Sequence, residues 1–304
     1  MSKVRWEEMF PDELEAAFAE CPLVYFVYGL CEPHGPPNAV GLDALKAHAI
    51  ACRAAEMHGG IVAPPDYWHI NEIGGYAHWS HHAVRTPARH WLTALPPWQH
   101  FKNVCYQVRA AEALGFHAAI LFTGHYGPNW EDLKTLAELL QPHVGIRLYA
   151  LPEFEANHKG WDGDGVRRSD HAGKVETSLL WAVRPDCVDL SRIPPDWVPD
   201  PVFGMGPFAM GADAAQANRQ TGERMIADEV DWLGNKGHEL LADYDVMKPQ
   251  HTFLTFERVE EIWHSVVAPA LPQFETMQPK WGERPEMPPD SPWQLNSAVP
   301  KNWR

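Results

Sequence analysis

The feature that most constrains this chain is the alternation of short apolar runs with longer helical segments in its first half. The runs at 22–29 and 118–123 have the apolar composition of buried strands. Two helical segments end at a glycine, a common helix stop. Strands are predicted at 22–29, 61–63, 118–123 and 146–151, and helices at 42–58, 98–114 and 130–140. This alternation predicts an α/β fold whose mainly parallel sheet carries helices on both faces.

The second half is organised differently. Residues 212–244 predict one long helix, or two helices with a break near the glycines of 233–237, and 256–267 predict another helix. Residues 268–304 are rich in Pro and Trp and show neither helical nor strand period. We therefore predict one domain over residues 1–267 and a C-terminal extension over 268–304 that packs on this subunit or on a neighbouring one.

Composition excludes several classes of partner. Forty acidic against 25 basic residues give a formal charge of −15, which argues against nucleic acid or an anionic membrane as the main partner. The five cysteines are odd in number and form no CxxC pair, so a reducing compartment is expected. The N-terminus lacks the apolar core of a signal peptide, and no apolar stretch has the length of a membrane helix. A cytoplasmic protein is predicted.

The loop LCEPHGPPNAVGLD, residues 30–43, directly follows the first predicted strand. Glu32 and His34 point to the same side if strand geometry continues past Leu30. Asp43 stands at the predicted start of a helix, where backbone N–H groups and the helix dipole favour a carboxylate. These three side chains are therefore candidate metal ligands. The alternative is that Asp43 only caps the helix and that Glu32 is solvated.

His125 follows the second long strand in the same manner, in the turn GHYGPN. Ligands of α/β folds bind at the C-terminal ends of parallel strands, so His125 is expected to converge with the opening loop. A loop histidine bonded to backbone is the alternative. A third segment, DHAGKVETS at 170–178, places His171 in a loop and Glu176 on the first turn of an apolar helix. By itself this segment reads as an ordinary capped helix start.

The residue types at these positions point to a metal-dependent reaction. Carboxylate and imidazole ligands without thiolates suit zinc, manganese or iron. A bridging carboxylate, for which Asp43 is the natural candidate, holds two ions about 3.5–4 Å apart. A metal-bound water then becomes hydroxide near neutral pH, the metal polarises a carbonyl, and a loop histidine protonates the leaving group. The predicted chemistry is hydrolysis of a C–N or C–O bond.

These segments, in this order, resemble the creatininase family of metal-dependent amidohydrolases over roughly residues 24–244. The family pattern is an E-x-H-G-P-H opening with an Asp eleven residues after the Glu, a strand that ends in a G-H turn, and an H-x-G-x-x-E-T-S segment. This chain has EPHGPPNAVGLD, GHYGPN and HAGKVETS. The resemblance implies a three-layer α/β/α subunit and a homo-oligomer, often a hexamer. It also implies two divalent ions per subunit, with zinc favoured and manganese or iron as alternatives.

The same resemblance implies roles for individual residues. Carried over by motif position, Glu32, Asp43 and His125 match the ligands of one metal. His34 and Asp43 match ligands of the second metal. His171 matches the histidine that contacts substrate or transfers protons.

Two departures from the family pattern affect the second metal. The second His after G-P is replaced by Pro37. The Glu that creatininases carry two residues after the turn His is replaced by Gly127, and the turn holds an extra residue, Pro128. We therefore expect Glu176 to supply the missing carboxylate or to act in proton transfer, with Glu131 as the second candidate.

Candidate substrate contacts lie beside these motifs. Creatininase itself has a Trp-Asp pair shortly before the H-x-G segment, and this chain has Arg167 and Arg168 at that distance. Two arginines predict a small substrate with a carboxylate or another anionic group, unless they only offset Asp162, Asp164 and Asp170. Trp161 lies in a loop with a related closing role, and Tyr126 adjoins the turn histidine.

We predict an amidohydrolase that cleaves a C–N bond of a small cyclic amide, lactam or formamide. The alternatives are a lactonase or short-peptide hydrolase on the same site, and a non-catalytic relative that serves as a binding or structural subunit. A His- and Trp-rich stretch at 67–91 is either a further metal site or a pocket wall or subunit contact; its histidines are His69, His78, His81, His82 and His90.

Overall fold

The computed structural model describes residues 3–70, 91–127, 129–201, 204–247, 249 and 255–277. Its strands are β1 (Leu23–Tyr28), β2 (Ile61–Val62), β3 (His69–Ile70), β4 (Ala94–Leu95), β5 (Ala118–Thr123) and β6 (Arg147–Pro152). Four of them form a parallel sheet in the order β2-β1-β5-β6, and β3 pairs with β4 in a separate parallel ribbon. The predicted parallel sheet is therefore confirmed.

Seven α-helices surround the sheet in the described part of the chain: α1 (Pro11–Glu20), α2 (Leu42–His58), α3 (Pro97–Leu114), α4 (Asn129–Leu140), α5 (Lys174–Val183), α6 (Arg219–Met247) and α7 (Phe256–Ile262). A π-helical segment, Trp263–Val267, and a last α-helical turn, Ala268–Ala270, continue α7. Short 3-10 helices occur at Trp6–Glu8, Gln141–His143, Glu153–Ala156, Pro185–Cys187, Leu190–Arg192, Pro207–Ala209, Ala214–Gln216, Leu271–Gln273 and Glu275–Met277.

Strand β1 shows why the fold has three layers. All six of its residues are buried, and alternate side chains point to opposite faces of the sheet. Leu23, Tyr25 and Val27 pack in a core with α2, α5 and α6, whereas Val24 and Phe26 pack with α3, α4 and α7. A strand that is apolar throughout requires cover on both faces, and helices supply it on each side.

Of the two alternatives predicted for residues 212–244, one long helix or two helices with a break, the single helix is the one observed. Helix α6 runs without a break through Gly234 and Gly237. A Cβ at Gly234 would lie 2.2 Å from Cγ of His58, and one at Gly237 would lie 2.5 Å from Cδ2 of Leu23. The glycines therefore permit close packing of α6 rather than ending it.

The segment after Val267 differs from the sequence prediction in being helical at its start. Residues 268–277 form helical turns, and Ala268, Leu271 and Phe274 join the core beside α3 and α4 of the same subunit. Residues 278–304 of the predicted extension lie outside the described residues. Within the described ranges, no helix combines the length and the apolar character needed to cross a membrane.

Glycines at two strand ends set the position of α2. Strands β1 and β5 are adjacent, with Tyr28 opposite Thr123. A Cβ at Gly29 would lie 2.4 Å from the backbone nitrogen of Ala44, and one at Gly124 would lie 2.2 Å from the carbonyl oxygen of Asp43. The first turn of α2 therefore packs directly against the C-terminal ends of both strands.

Candidate metal centre

The loop after β1 directs two side chains inward. Glu32 and His34 are fully buried, although the strand itself ends at Tyr28. Nδ1 of His34 lies 3.0 Å from the carbonyl oxygen of Glu32. Because a carbonyl can only accept, Nδ1 carries a proton, and Nε2 is the nitrogen that faces the interior and has a free lone pair once the ring is neutral. This tautomer is the one that a metal-binding histidine adopts when its other nitrogen is bonded to backbone.

Asp43 lies on the first turn of α2 and is buried. The residue that caps the helix is Gly41, so the alternative in which Asp43 only caps the helix is wrong. Its two carboxylate oxygens face different histidines. Oδ1 is 3.0 Å from Nε2 of His34, and Oδ2 is 3.2 Å from Nδ1 of His125.

His125 lies directly after β5, where the sequence places it. Its Nδ1 is 3.0 Å from Oε1 of Glu32. Glu32, Asp43 and His125 form one group whose candidate ligand atoms all lie within 4.8 Å of one another. All three are buried, so their charges interact in a medium of low polarity.

Glu176 forms a second group with His34 and Asp43, whose candidate ligand atoms also lie within 4.8 Å of one another. It lies on the first turn of α5, and its Oε2 is 3.8 Å from Nε2 of His34. The backbone N–H of Ala172 donates to the same oxygen at 2.8 Å. Ala172 has a φ of 49°, an uncommon left-handed value that places this N–H beside the carboxylate.

His171 forms a third compact group with Glu32 and His34, so it adjoins both groups described above. Its Nε2 lies 3.0 Å from the carbonyl oxygen of Pro33, so Nε2 carries the proton and Nδ1 is the basic nitrogen. Nδ1 is 3.8 Å from Oε1 of Glu32, and the ring stacks on His34 at 4.7 Å. The His171 side chain is 13% exposed, unlike the fully buried His34.

The charges of the candidate ligands shift one another's pKa values. Burial alone lowers the pKa of His34, yet Asp43, Glu32 and Glu176 together raise it to about 9. Burial alone raises the pKa of Asp43, yet His34 and His125 hold it well below its ordinary value. Burial lowers the pKa of His171, an effect that Glu32 opposes. Asp43 therefore stays ionised, and His171 is neutral near pH 7.

The donor set fits divalent metal ions. Within the described residues, neither oxygen of Asp43 nor Nε2 of His34 makes a hydrogen bond of ordinary geometry, although all three atoms are buried. They form ion pairs with neighbouring ligand candidates but lack well-aligned hydrogen bonds, and a bound cation would satisfy these buried atoms. The oxygen and imidazole donors are those preferred by zinc, manganese and iron.

A cavity of about 580 Å³ adjoins the second group. It is lined by Pro33, His34, Gly35, Pro36, Val40, Trp91, Arg192 and Phe208. Trp91 and Phe208 both have positive φ, and the carbonyl of Phe208 accepts from the N–H of Gly35 at 2.7 Å. Strained backbone of this kind is concentrated at functional sites.

The predicted substrate contacts have local partners. The hydroxyl of Tyr126 donates to Glu153, and the backbone carbonyl of Trp161 accepts from Arg224. Arg168 makes a two-pronged ion pair with Asp164, at 2.6 and 3.1 Å, and Arg167 lies against His158. The ion pair with Asp164 is the arrangement expected if Arg168 offsets a local acid.

A buried cation that the sequence pattern does not predict, Lys46, lies beside Glu176 of the second group. Nζ of Lys46 is 2.6 Å from Oε1 of Glu176 and 3.1 Å from Oε2 of Glu153, and the side chain is fully buried. Glu229, on the buried face of α6, lies in the same region. One signal was present: Lys46 follows Asp43 by three residues and so shares its helix face.

Only part of the His-rich stretch is described. His69 is buried, with its ring 4.1 Å from His100 and 5.7 Å from His125. It belongs to none of the compact ligand groups found among the described residues. His78, His81, His82 and His90 lie outside the described residues.

Known proteins are similar to this chain both in sequence and in fold. The family model for creatininase, described as creatinine amidohydrolase, matches residues 7–236. The creatinine amidohydrolase of Pseudomonas putida is 27% identical over 263 residues, which cover 74% of this chain and 91% of that protein. A mutant creatininase complexed with creatine is 25% identical with a TM-score of 0.58, and the match covers 78% of this chain and 98% of that chain. A manganese creatininase gives the same values.

Proposed function

The chain belongs to the creatininase family, whose model matches residues 7–236, and on that premise we propose a metal-dependent amidohydrolase that cleaves a C–N bond of a small cyclic amide, lactam or formamide. Membership makes the chain a hydrolase of carbon–nitrogen bonds other than peptide bonds. The bond, the substrate and the ligand set of this particular chain are our proposals.

The observation that carries the proposal is the orientation of Asp43. One oxygen faces His34 and the other faces His125, at 3.0 and 3.2 Å. A carboxylate with each oxygen directed at a different ligand group would serve as a ligand of both ions. This supports one ion held by Glu32, Asp43 and His125, and a second held by His34, Asp43 and Glu176.

The ions would be divalent, with zinc favoured and manganese or iron as alternatives. The manganese form of a relative that is 25% identical supports a transition metal. Bound at this site, such ions supply Lewis acidity toward a carbonyl and lower the pKa of a water molecule.

The chain's own residues contribute binding and proton transfer. Nδ1 of His171 faces the site from its exposed edge, so we assign His171 the transfer of a proton from the attacking water to the leaving nitrogen. Both oxygens of Glu176 are engaged, one by Lys46 and one by the N–H of Ala172. That engagement favours a ligand role for Glu176 over proton transfer.

The cavity beside His34 is of the size that small-molecule sites have. A relative is complexed with creatine, which makes creatinine-like cyclic amides the first compounds to test. Tyr126, Trp161, Arg167 and Arg168 remain our proposed substrate contacts, which would suit an anionic substrate.

By the family resemblance we also propose a homo-oligomer, such as a hexamer. We propose a cytoplasmic location from the cysteine pattern.

Metal content and hydrolysis test this proposal together. Protein purified without added metal or chelator is analysed by plasma mass spectrometry and assayed with creatinine, lactams, formamides, lactones and dipeptides. We expect two ions per chain and amide hydrolysis that is lost after chelation. One ion or none, or hydrolysis of lactones or dipeptides alone, would contradict it. Glu131→Gln is the control, because Glu131 is exposed and should keep both ions.

A further inference from the structure

We infer that Lys46 is a positioning residue that holds Glu176 so that one of its oxygens is directed at the second ion. The inference rests on the proposed function, because it assumes the second ligand group. Lys46 lies on α2, three residues after Asp43, and its side chain is fully buried. A fully buried lysine is rare unless it is paired, and here it has two carboxylate partners.

The contacts of Lys46 fix its ammonium group on three sides. Nζ is 2.6 Å from Oε1 of Glu176, 3.1 Å from Oε2 of Glu153 and 3.7 Å from the centre of the Tyr126 ring. Short charge-assisted bonds of this kind are strong and directional. Lys46 therefore connects Glu176 to Glu153, a buried residue outside the ligand groups.

Glu176 in turn has a different partner for each oxygen. Oε1 receives the Lys46 ammonium, whereas Oε2 receives the N–H of Ala172 at 2.8 Å and faces Nε2 of His34 at 3.8 Å. Rotation of the carboxylate would break both bonds. Only Oε2 is therefore presented to the ligand group, and Lys46 selects it.

The helix that carries Glu176 is anchored independently. Asp170 accepts from the N–H groups of Val175 and Glu176 at 2.8 and 3.1 Å, which fixes the first turn of α5. Loss of Lys46 would therefore leave the backbone in place and release only the side chain. This separation makes the role of Lys46 measurable.

Glu153 offers a matched control. It is fully buried and bonds to the same ammonium as Glu176, but it belongs to none of the ligand groups of the described residues. Glu153→Gln and Lys46→Gln each remove one charge from the same buried cluster. Only Lys46→Gln removes the partner of Glu176.

The experiment measures both zinc dissociation constants by competition with a chromophoric chelator, for wild type and the two variants. We expect Lys46→Gln to raise the dissociation constant of the second ion by about 10- to 100-fold, the usual effect of losing an outer partner of a ligand. The dissociation constant of the first ion should not change. Glu153→Gln should keep both constants. A purely structural role would lower the melting temperature of both metal-free variants and leave the metal constants equal to wild type, which would overturn the inference.

If Lys46→Gln does not fold, Lys46→Met combined with Glu153→Gln removes one positive and one negative charge together, so the buried net charge is unchanged. This double variant is compared with Glu153→Gln alone, and its affinity for the second ion should again be the lower of the two. If wild type binds two ions and the variants bind both normally, the inference on Lys46 fails while the proposed function stands. If wild type binds fewer than two ions, the proposed function fails as well.

Discussion

The two ligand groups share Asp43 but are assembled in different ways. The first group, Glu32, Asp43 and His125, comes from the ends of two adjacent strands and the helix turn packed on them. The second group adds Glu176, which comes from α5 and is held by Lys46 on α2. The first group follows from the order of the strands, whereas the second depends on how two helices pack. The second group should therefore be the easier one to disrupt.

The strongest test of this comparison is the residue common to both groups. We expect Asp43→Asn to remove both ions and to lower activity by about 10³-fold or more, because each group loses a charged ligand. Plasma mass spectrometry and an assay of the variant measure this. Retention of one ion at wild-type affinity would mean that Asp43 does not bridge.

Glu32→Gln and Glu176→Gln separate the two groups. We expect Glu176→Gln to keep the first ion and lose the second, since Glu32, Asp43 and His125 remain intact. Glu32→Gln should lower the affinity of the first ion by roughly 100-fold. Isothermal titration of the metal-free variants with zinc would resolve the two sites. Equal loss of both ions in both variants would show a single cooperative centre.

His171 should affect the reaction and not the ions. We expect His171→Gln to lower kcat by about 10²-fold, the usual value for a lost proton-transfer group, with both ions retained. Metal analysis and steady-state kinetics check this on the same preparation. Loss of an ion in this variant would place His171 among the ligands.

Proton binding at His34 gives the metal-free protein a pH dependence. The pKa of His34 is raised from 6.5 to about 9 in the folded protein, so its stabilising contribution is fully present below pH 6.5 and is lost as the pH rises through 9. Urea unfolding of chelator-treated protein over this range measures the loss. His34→Gln should remove this part of the dependence.

Because an ion must displace the proton, apparent affinity for the second ion should rise with pH over the same interval.

The smallest effect is expected outside both groups. Arg168 is paired with Asp164 near the surface, and such pairs contribute little. We expect Arg168→Gln to change kcat/KM by less than about threefold for a neutral amide. A large rise in KM confined to anionic substrates would support the proposed substrate contact.

Local sequence pattern predicted the elements that carry the first group. The helix at 42–58 and the strand at 118–123 have the predicted bounds, because their apolar runs end at clear glycine or polar signals. The glycines within α6 left open whether this region is one helix or two, since close packing and helix termination use the same residue. Lys46 was missed because its type predicts an exposed side chain.

The sequence by itself determined the parallel sheet and the positions of Glu32, Asp43 and His125 beside predicted strand ends and a predicted helix start, because apolar runs and the polar loops after them are short-range patterns. It left Glu176 and Glu131 as rival carboxylates. Only the tertiary structure decided that Glu176 lies beside His34 while Glu131 is exposed. The physical reason is that the packing of α5 against α2 joins residues far apart in the chain, and no local pattern encodes which buried charges will meet there.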